Sequence, residues 1–395
     1  MKLKAIRLSN FQSFGEKPTK ISLRDITYLI GPNGSGKTAV LQALYRMFGF
    51  DPSLRRVVRS DFHVPRDEKV VPEERRFWIE IDFVFPELME DEDNPAVPVF
   101  FSHMRLATTK GIPRVRYRLS ATMTADGEIE DTLVYVLEVD ADDAPVETTS
   151  VPKAERNQVQ AHYLPARRNP ADHIAYGTSA LLGRLLRSIN WSGERENIKR
   201  LTDQISESLA VNPSISAFSE NLKAVWSTLH KGSFFADPKV TFIASEIESL
   251  LRHTSISFSP GHESDIIDYS RLSDGQKSML YLSLVLSSQA IGQAVLEGRE
   301  ESFDRDRLRP PVFTLVAIEE PENSLSPHYL GRIVTALGEM TRAGNAQALI
   351  ATHAPSMLKR VDPEHIRYLR LRENRTTRVT RIRLSTDILS IPESF

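Results

Sequence analysis

The sequence predicts an α/β fold, in which a core carries an antiparallel β subsheet and an inserted helical lobe. An apolar, β-rich segment runs directly into the glycine-rich residues 31–38, and a helix-patterned segment follows. Segments with partial apolar–polar alternation, separated by turn sequences, lie between residues 77 and 139. Residues 174–251 then show helical spacing. We therefore expect a core of residues 1–173 and 252–395, with the helical lobe between them.

Composition limits the classes of protein that remain. The 395 residues suffice for two domains, or for one large domain with an insertion, and the formal net charge of -2 indicates neither a nucleic-acid nor a membrane partner. The lack of cysteine excludes disulfides and thiolate metal sites and suits a reducing cytoplasm. The apolar stretch 279–296 is interrupted by serine and glutamine, which predicts a buried helix rather than a membrane span. We expect a water-soluble, cytoplasmic protein.

Residues 31–38, GPNGSGKT, form a complete Gly-x-x-x-x-Gly-Lys-Thr motif between a predicted strand and a predicted helix. A strand that turns through glycines into a helix directs several backbone N–H groups, and the positive end of the helix dipole, at one point. We expect Lys37 to reach the β- and γ-phosphates of a triphosphate and the Thr38 hydroxyl to hold Mg²⁺. An ordinary glycine-rich turn is the less favoured alternative. The predicted ligand-binding residues are Asn33, Gly34, Ser35, Gly36, Lys37 and Thr38.

The other elements of the N-terminal half follow in order. Residues 3–14 predict a strand and a turn, residues 20–23 a second strand, and residues 54–63 an arginine-bearing connection behind the P-loop helix. Residues 140–157 look like a surface loop with a solvated acidic run, and residues 159–164 like a short strand. The segments of the predicted antiparallel subsheet are 77–85, 99–108, 115–124 and 132–139.

The helical lobe follows, and a predicted hairpin lies near the C-terminal end of the sequence. Pro213 and the region of Gly232 mark breaks between the helices of the lobe, for which self-association or partner docking is a hypothesis. Residues 366–371 and 379–384 predict a hairpin. A solvated face is favoured over a phosphate-backbone site for its arginines, and both interpretations stay open. These arginines are residues 367, 370, 372, 375, 378, 381 and 383.

Residues 272–276, LSDGQ, precede a helix that we expect to start at Lys277. Small residues at a helix N-terminus favour anion binding, which involves Ser273, Gly275 and Gln276 here. Such a site would touch a phosphate already held by Lys37 only if a second molecule brought it there. Taken alone, the sequence is equally typical of a helix cap.

Residues 313–322, FTLVAIEEPE, begin with the nearly continuous apolar run of a central parallel strand buried on both faces. Glu319 and Glu320 stand at its C-terminal end, where open α/β sheets place their ligands. Glu319 is predicted to face Mg²⁺, and Glu320 to act as the general base towards the attacking water. Two surface carboxylates at a turn are the less favoured alternative.

Two further motifs are weaker when taken alone. Residues 323–328, NSLSPH, form a polar loop that enters a helix and is equally typical of a capped turn. Residues 349–356, LIATHAPS, predict a short strand followed by Thr352 and His353. His353 is a candidate to hydrogen-bond a γ-phosphate or the attacking water, although a lone histidine is more often structural. Its place after the other motifs favours the functional interpretation.

The order of these motifs resembles that of an ABC-type ATPase head. More narrowly, it resembles the OLD (overcoming lysogenization defect) family and its RecF-like and SMC-like relatives. Three departures accompany the resemblance: Asp274 stands where transporters have glycine, Glu319 replaces the usual aspartate, and Ala166-Arg167 replaces the Q-loop glutamine. No Q-loop ligand or adenine-reading residue is therefore assigned. The OLD-like segments are residues 10–14, 163–167, 272–278, 318–322 and 351–355.

The resemblance implies an ATPase that binds ATP and Mg²⁺, in a homodimer whose two heads sandwich two nucleotides. It implies that Ser273 and Gly275 contact the γ-phosphate held by the opposite subunit. Residues 323–326 would be the D-loop across that interface, and His353 the switch histidine. Arg167 is assigned only a hypothetical phosphate or interface contact.

The resemblance also implies a domain order, because in OLD proteins such an ATPase is followed by a Toprim nuclease. No second acidic motif of that type precedes Phe395, so we expect the ATPase portion of a longer protein or a relative with a separate effector chain. The favoured hypothesis is that ATP-driven head pairing gates an attached or partner nuclease, with the resemblance implying phage defence or DNA processing. The alternatives are a non-nuclease ATPase sensor or scaffold and a RecF- or SMC-like repair ATPase that binds DNA. No membrane partner is expected.

Overall fold

The computed structural model describes residues 1–86, 113–165, 171–229, 251, 254, 256–259, 267–268, 271–323, 325–342, 345–358 and 361–382. The predicted strand 99–108 lies outside these ranges, as do Arg167, Gly232, Ser324 and Arg383. The chain divides into two units. The first comprises the described parts of Met1–Thr178, Ser273–Ala290 and Pro310–Phe395, and the second those of Ser179–Leu272 and Ile291–Arg309.

The strands and helices match the periodicities of the sequence in most places. The strands are β1 (Lys2–Ser9), β2 (Thr19–Ser22), β3 (Ile26–Ile30), β4 (Glu74–Val84), β5 (Arg114–Thr124), β6 (Ile129–Val139), β7 (Pro145–Ser150), β8 (Val159–Leu164), β9 (Ser257–Phe258), β10 (Ile267–Asp268), β11 (Phe313–Glu319), β12 (Ala346–Ala351), β13 (Ile366–Leu371) and β14 (Thr377–Arg381). The helices are α1 (Lys37–Phe48), α2 (Lys153–Arg156), α3 (Ala171–Ser188), α4 (Arg195–Ala210), α5 (Pro213–Leu229), α6 (Asp274–Leu296), α7 (Arg305–Leu308), α8 (Pro327–Arg342) and α9 (Pro355–Leu358).

An antiparallel sheet in the first unit has the strand order β2-β1-β4-β5-β6-β7. It contains the N-terminal strands β1 and β2 as well as the strands predicted between residues 77 and 139, so the subsheet is larger than the sequence indicated. β1 pairs with β4 across most of its length, which joins the N-terminus to the later hairpins. Sheet membership of this kind depends on long-range pairing that local patterns do not encode.

A second six-stranded sheet in the same unit has the order β14-β13-β3-β12-β11-β8. β8, β11, β12, β3 and β13 pair in parallel, and β14 closes the edge as an antiparallel partner of β13. The buried, continuously apolar β11 and β12 occupy central positions, as parallel strands covered on both faces require. This order places the C-terminal ends of β3, β12, β11 and β8 side by side at one edge.

The apolar helix α1 packs against side chains of both sheets. The Phe48 ring lies 5.0 Å from the Tyr117 ring of β5, and the Tyr45 ring lies 4.1 Å from the Tyr163 ring of β8. Burial of each such side chain contributes roughly 1.5–3 kcal/mol to the free energy of unfolding. The P-loop helix is therefore fixed from both sides before any ligand binds.

The prediction that residues 140–157 form a surface loop is wrong. They contain the edge strand β7 and the short helix α2. An edge strand exposed on most of its length has few apolar residues, so its sequence resembles a loop. Asp143 is also more than a solvated charge, because it pairs with the buried guanidinium groups of Arg7 and Arg116.

The second unit contains α4, α5, α7 and the C-terminal part of α3. α5 begins at Pro213, where proline suits the first turn because its missing N–H would be unpaired there. A small apolar cluster joins Leu185, Val295 and Leu308, with Ile291 and Phe303 packed against it. Between residues 179 and 229, the described part of the lobe thus consists of helices joined by short connections.

Helix α6 differs from its prediction in two ways. It begins at Asp274 rather than at Lys277, so LSDGQ supplies its first turn. Within the described part of the chain it is also the one helix long and apolar enough to cross a bilayer by length and composition, a test that core helices of other proteins pass as well. Only 28% of its most apolar 18-residue window is buried, so the prediction of a buried helix is wrong for most of that window.

Candidate nucleotide-binding site

The P-loop connects β3 to α1 through backbone conformations that require glycine. Gly36 precedes α1 with a φ of 97°, in the left-handed region. A Cβ atom on Gly31 would lie 2.0 Å from the Leu369 carbonyl oxygen of β13, so the loop approaches that strand too closely for a side chain. The loop is therefore closed against its own sheet.

The loop presents unpaired donors to the space in front of α1. Among the residues that the structure describes, the backbone N–H groups of Gly34, Gly36, Lys37 and Thr38 have no acceptor. The Ser35 hydroxyl is buried and has no described partner either. First-turn N–H groups at a helix N-terminus bind anions well, since the helix dipole favours negative charge there.

The Lys37 ammonium group is held inside the loop. Its Nζ atom donates to the carbonyl oxygens of Gly31 at 2.9 Å and Pro32 at 3.1 Å, and the residue is buried. Burial lowers the pKa of Lys37, and the charges of Glu320, Glu319 and Glu322 oppose that shift. The Lys37 ammonium group is thus held in the loop by two neutral carbonyl oxygens, which a phosphate oxygen can replace.

Glu319 ends β11, and its carboxylate joins this strand to helix α1 and to strand β8. Its Oε1 atom accepts a hydrogen bond from the Thr38 hydroxyl, and its Oε2 atom accepts one from the Tyr163 hydroxyl of β8. Tyr163 pairs in register with Ala317, two residues before Glu319, so the two side chains share one face of the sheet. Burial and the Glu319 charge raise the pKa of Tyr163, which keeps its hydroxyl a donor.

Glu320 follows with a φ of 44°, a left-handed conformation that costs on the order of 1 kcal/mol for a residue other than glycine. Both of its carboxylate oxygens have partners. His353 Nε2 lies 3.0 Å from Oε1, and Asn323 Nδ2 donates to Oε2 at 2.8 Å. The predicted base, the predicted switch histidine and a D-loop residue therefore meet in one cluster.

Glu322 holds the segment after β12 in place. Its Oε1 atom accepts hydrogen bonds from the Thr352 hydroxyl at 2.9 Å, from the His353 backbone N–H at 2.7 Å and from the Ala354 backbone N–H at 3.1 Å. Three donors on one oxygen fix the backbone that carries His353. Glu322 is accordingly the residue that links the turn after β11 to the turn after β12.

Residues 272–276, LSDGQ, which we call the signature, contain side chains that contact one another in the single chain. Gln276 Oε1 accepts from the backbone N–H and the hydroxyl of Ser273, both at 3.0 Å, and the Gln276 N–H donates to Ser273 Oγ at 3.4 Å. This reciprocal pattern is a capping box at the start of α6. Within the described residues, Ser273, Gly275 and Gln276 make no hydrogen bond to the P-loop. Ser273 and Gln276 are exposed.

The β13–β14 hairpin and the turn after β1 support the P-loop from behind. Thr377 Oγ1 lies 2.7 Å from the Ser13 hydroxyl and 3.0 Å from the Ser35 carbonyl oxygen, and its N–H donates to Ser13 O at 2.8 Å. A Cβ atom on Gly36 would lie 2.5 Å from Thr377 Oγ1. Two segments far apart in sequence thereby restrain the loop that surrounds Lys37.

These residues fit a triphosphate and Mg²⁺. Four free N–H groups and Lys37 suit phosphate oxygens. The Thr38 hydroxyl and the Glu319 carboxylate are oxygen ligands of the type Mg²⁺ prefers. No group of three or more His, Cys, Asp or Glu side chains within the described residues is arranged for a metal ion. Mg²⁺ usually takes its remaining ligands from water and substrate phosphates, so a small protein set is sufficient.

Sequence reasoning placed Lys37, Thr38, Glu319, Glu320 and His353 at one sheet edge, and the structure brings them together there. The sequence did not predict the contacts that three further residues make in this cluster. Glu322 appeared only as part of a motif, Tyr163 only as part of an OLD-like segment, and Asn323 only as a D-loop residue. The parallel β8–β11 pairing is the signal that could have identified Tyr163, because it sets which side chains share the Glu319 face.

Residues 1–358 match a family model described as AAA ATPase domain. The chain is 26% identical over 402 aligned residues to the OLD nuclease of Thermus scotoductus, an alignment that covers 95% of this chain and 63% of that protein. The chain thus spans less than two thirds of that relative. A shorter match of 49 residues, 45% identical, covers 12% of this chain and 4% of the chromosome partition protein Smc of Fusobacterium nucleatum subsp. nucleatum.

Solved structures with a similar arrangement include an SMC head domain from Thermotoga maritima, which is 14% identical with a TM-score of 0.42, covering 97% of this chain and 100% of that one. An SMC head bound to the C-terminal winged-helix domain of ScpA is also 14% identical, with a TM-score of 0.47 and coverage of 97% and 99%. The family match and the P-loop sheet confirm the predicted α/β ATPase head. The resemblance to the OLD family is likewise confirmed.

Tyr163→Phe removes the hydroxyl that donates to Glu319 and keeps the ring that packs on Tyr45. Groups that orient a metal ligand typically contribute 10–100-fold to metal affinity or activity. We expect the Mg²⁺ concentration for half-maximal ATP hydrolysis to rise about 10-fold, at an unchanged melting temperature. Tyr329→Phe, at an exposed tyrosine, is the control. An unchanged Mg²⁺ requirement in Tyr163→Phe would show that this hydroxyl does not orient Glu319.

Proposed function

Because the chain belongs to the AAA ATPase domain family, we propose that it is the ATP-binding and ATP-hydrolysing head of an OLD-like protein. In this proposal two heads close on ATP, and their closure gates an attached or partner nuclease or effector. The observation that carries it is the meeting of the P-loop, Glu319, Glu320 and His353 at one edge of the parallel sheet. A cytoplasmic location, and a role in phage defence or DNA processing, are parts of the same proposal.

In this proposal the residues of the P-loop bind and orient ATP. The free N–H groups of the loop and Lys37 hold the β- and γ-phosphates, with Lys37 exchanging the carbonyl oxygens of Gly31 and Pro32 for phosphate oxygens. The Thr38 hydroxyl and Glu319 would hold Mg²⁺, which neutralises phosphate charge when it is bound. Tyr163 keeps the Glu319 carboxylate turned towards Thr38.

Glu320 is the proposed acceptor of a proton from the attacking water. His353 and Asn323 hold its two oxygens, and Glu322 holds the backbone of His353. A movement of the D-loop or of the segment after β12 would therefore alter the position of the base. Pairing of two heads at these loops is a direct way to couple closure to hydrolysis.

The contacts of the signature support a shared active site. Within one chain, Ser273 and Gln276 satisfy each other and do not reach the P-loop among the described residues. Their exposed position at the N-terminus of α6 leaves them accessible to a phosphate held by a second copy. We propose that each nucleotide lies between the P-loop of one copy and the signature of the other. The helical lobe is a second proposed place of contact between copies or with a partner.

Glu320→Gln tests the assignment of the base. We expect hydrolysis to fall at least about 100-fold, since general base catalysis contributes roughly 10²–10⁴-fold, while ATP affinity stays within about 3-fold. Phosphate release and equilibrium binding of a fluorescent ATP analogue measure the two effects. Glu339→Gln, at an exposed glutamate of α8, is the matched control. A Glu320→Gln protein that hydrolyses ATP at the parental rate would refute the assignment.

Ser273→Arg tests the shared site. We expect it to abolish hydrolysis at every protein concentration, with ATP binding retained, whereas Ser283→Arg further along α6 has little effect. A mixture of the Ser273→Arg and Glu320→Gln proteins should recover up to about a quarter of the parental rate, since random pairing gives one intact site in half of the dimers. If each copy instead contained a complete active site, the mixture would not recover ATP hydrolysis.

Gating is tested on the full-length gene product, alone or with its effector chain. Glu320→Gln holds ATP without turnover, so we expect the rate of plasmid cleavage in Mg²⁺ or Mn²⁺ to change about 10-fold or more relative to the parental protein. Cleavage is followed by conversion of supercoiled plasmid to nicked and linear forms. Equal rates with and without ATP in both proteins would contradict gating and favour the sensor or scaffold alternative.

A further inference from the structure

The outward face of the β13–β14 hairpin carries a row of arginines. Directly opposed residues of an antiparallel pair share one face, and the ladder pairs Tyr368 with Thr380 and Arg370 with Arg378. The Arg372 N–H donates to the Thr376 carbonyl oxygen at 2.9 Å, which continues the ladder and places Arg372 on the same face. We call Tyr368, Arg370, Arg372, Thr376, Arg378 and Thr380 the hairpin arginine face.

The charges of this face are not balanced inside the chain. Arg370, Arg372 and Arg378 are exposed, and none of them pairs with a carboxylate among the residues that the structure describes. Arg370 and Arg378 stand directly opposite each other, an arrangement of like charges that destabilises a strand pair. By contrast, two exposed arginines elsewhere do pair with carboxylates, Arg76 with Glu74 and Arg299 with Glu297. The guanidinium groups of this face can therefore bind an anionic ligand.

The opposite face of the hairpin is fixed to the nucleotide site. Leu369 is buried with its carbonyl oxygen against Gly31, and Thr377 is bonded to Ser13 and Ser35. The buried Arg367 donates to the carbonyl oxygens of Ser22 at 2.6 Å and Glu364 at 2.6 Å, which fixes the base of the hairpin. The arginines thus stand on a rigid support rather than on a mobile loop.

We propose that the hairpin arginine face binds the phosphodiester backbone of duplex DNA. Guanidinium groups recognise phosphate with two parallel hydrogen bonds, and the hydroxyls of Tyr368 and Thr380 add donors of the kind that contact DNA phosphates. Residues two apart along a strand are separated by roughly 6.7 Å, so Arg370 and Arg372 can contact successive phosphates of one DNA strand. The site contacts no base edges and reads no sequence.

The hairpin arginine face lies opposite the side of the hairpin that contacts the P-loop, and DNA binding there does not depend on the proposed function. An anionic membrane is the main competitor for such a surface. Membrane-surface segments combine basic residues with apolar side chains that enter the bilayer. The hairpin arginine face carries hydroxyl groups and a single aromatic ring beside its arginines, which favours a nucleic-acid backbone.

The triple variant Arg370→Gln, Arg372→Gln, Arg378→Gln tests the proposal by fluorescence anisotropy with a labelled 30-bp duplex. We expect its Kd to rise at least about 10-fold near 100 mM salt, and the slope of log affinity against log salt to flatten by roughly 2–3. The control triple Arg76→Gln, Arg299→Gln, Arg332→Gln removes the same charge from exposed positions elsewhere and should retain binding. The triple of arginine-to-lysine changes keeps the charge but loses the two parallel hydrogen bonds of each guanidinium group, so its DNA affinity should lie between those of the parental protein and the glutamine triple.

Two results would overturn the proposal. One is equal loss of DNA binding in the hairpin and control triples, since net charge alone would then explain it. The other is a hairpin triple that keeps parental DNA binding but no longer binds phosphatidylserine vesicles, which would identify a membrane surface. Binding of the fluorescent ATP analogue reports the fold and the P-loop separately, so a hairpin triple that binds ATP normally remains informative about DNA.

Discussion

Parallel pairing of β3, β12, β11 and β8 is the constraint on which the rest of the site depends. Each of these strands delivers its functional residue at its C-terminal end, in a fixed lateral order. The P-loop follows β3, His353 follows β12, Glu319 and Glu320 follow β11, and Tyr163 stands near the end of β8. A slip of one residue in any pairing would turn these side chains to the other face of the sheet.

Local sequence was sufficient to predict the site residues where the same motif supplies the chemistry and sets the backbone conformation. GPNGSGKT needs glycine at positions 31 and 36, and the structure shows a close backbone approach at one and a left-handed conformation at the other. The run before Glu319 was similarly informative, since a continuous apolar segment of that length fits a central parallel strand. The predicted P-loop, carboxylates and histidine consequently converge.

Local sequence was insufficient where a residue acts through a distant partner. Glu322 and Tyr163 acquire their roles from hydrogen bonds across 30 or more residues of chain, which no periodicity encodes. The edge strand β7 was missed because exposure removes the alternation that identifies a strand. The signature shows another limit: Ser273 and Gln276 form a helix cap in one copy, and the same exposed groups suit a phosphate from another, so the two interpretations are compatible.

The attachment of the hairpin to the P-loop has a practical consequence for spectroscopy. Leu369 and Thr377 hold the two strands against Gly31 and Ser35, whereas Glu373 in the intervening turn is exposed. The natural sequence contains no cysteine, so a thiol placed at residue 373 would be unique for labelling. A dye at this residue would be attached to the P-loop through the rigid hairpin. A change in its emission would therefore report movement of the P-loop in real time.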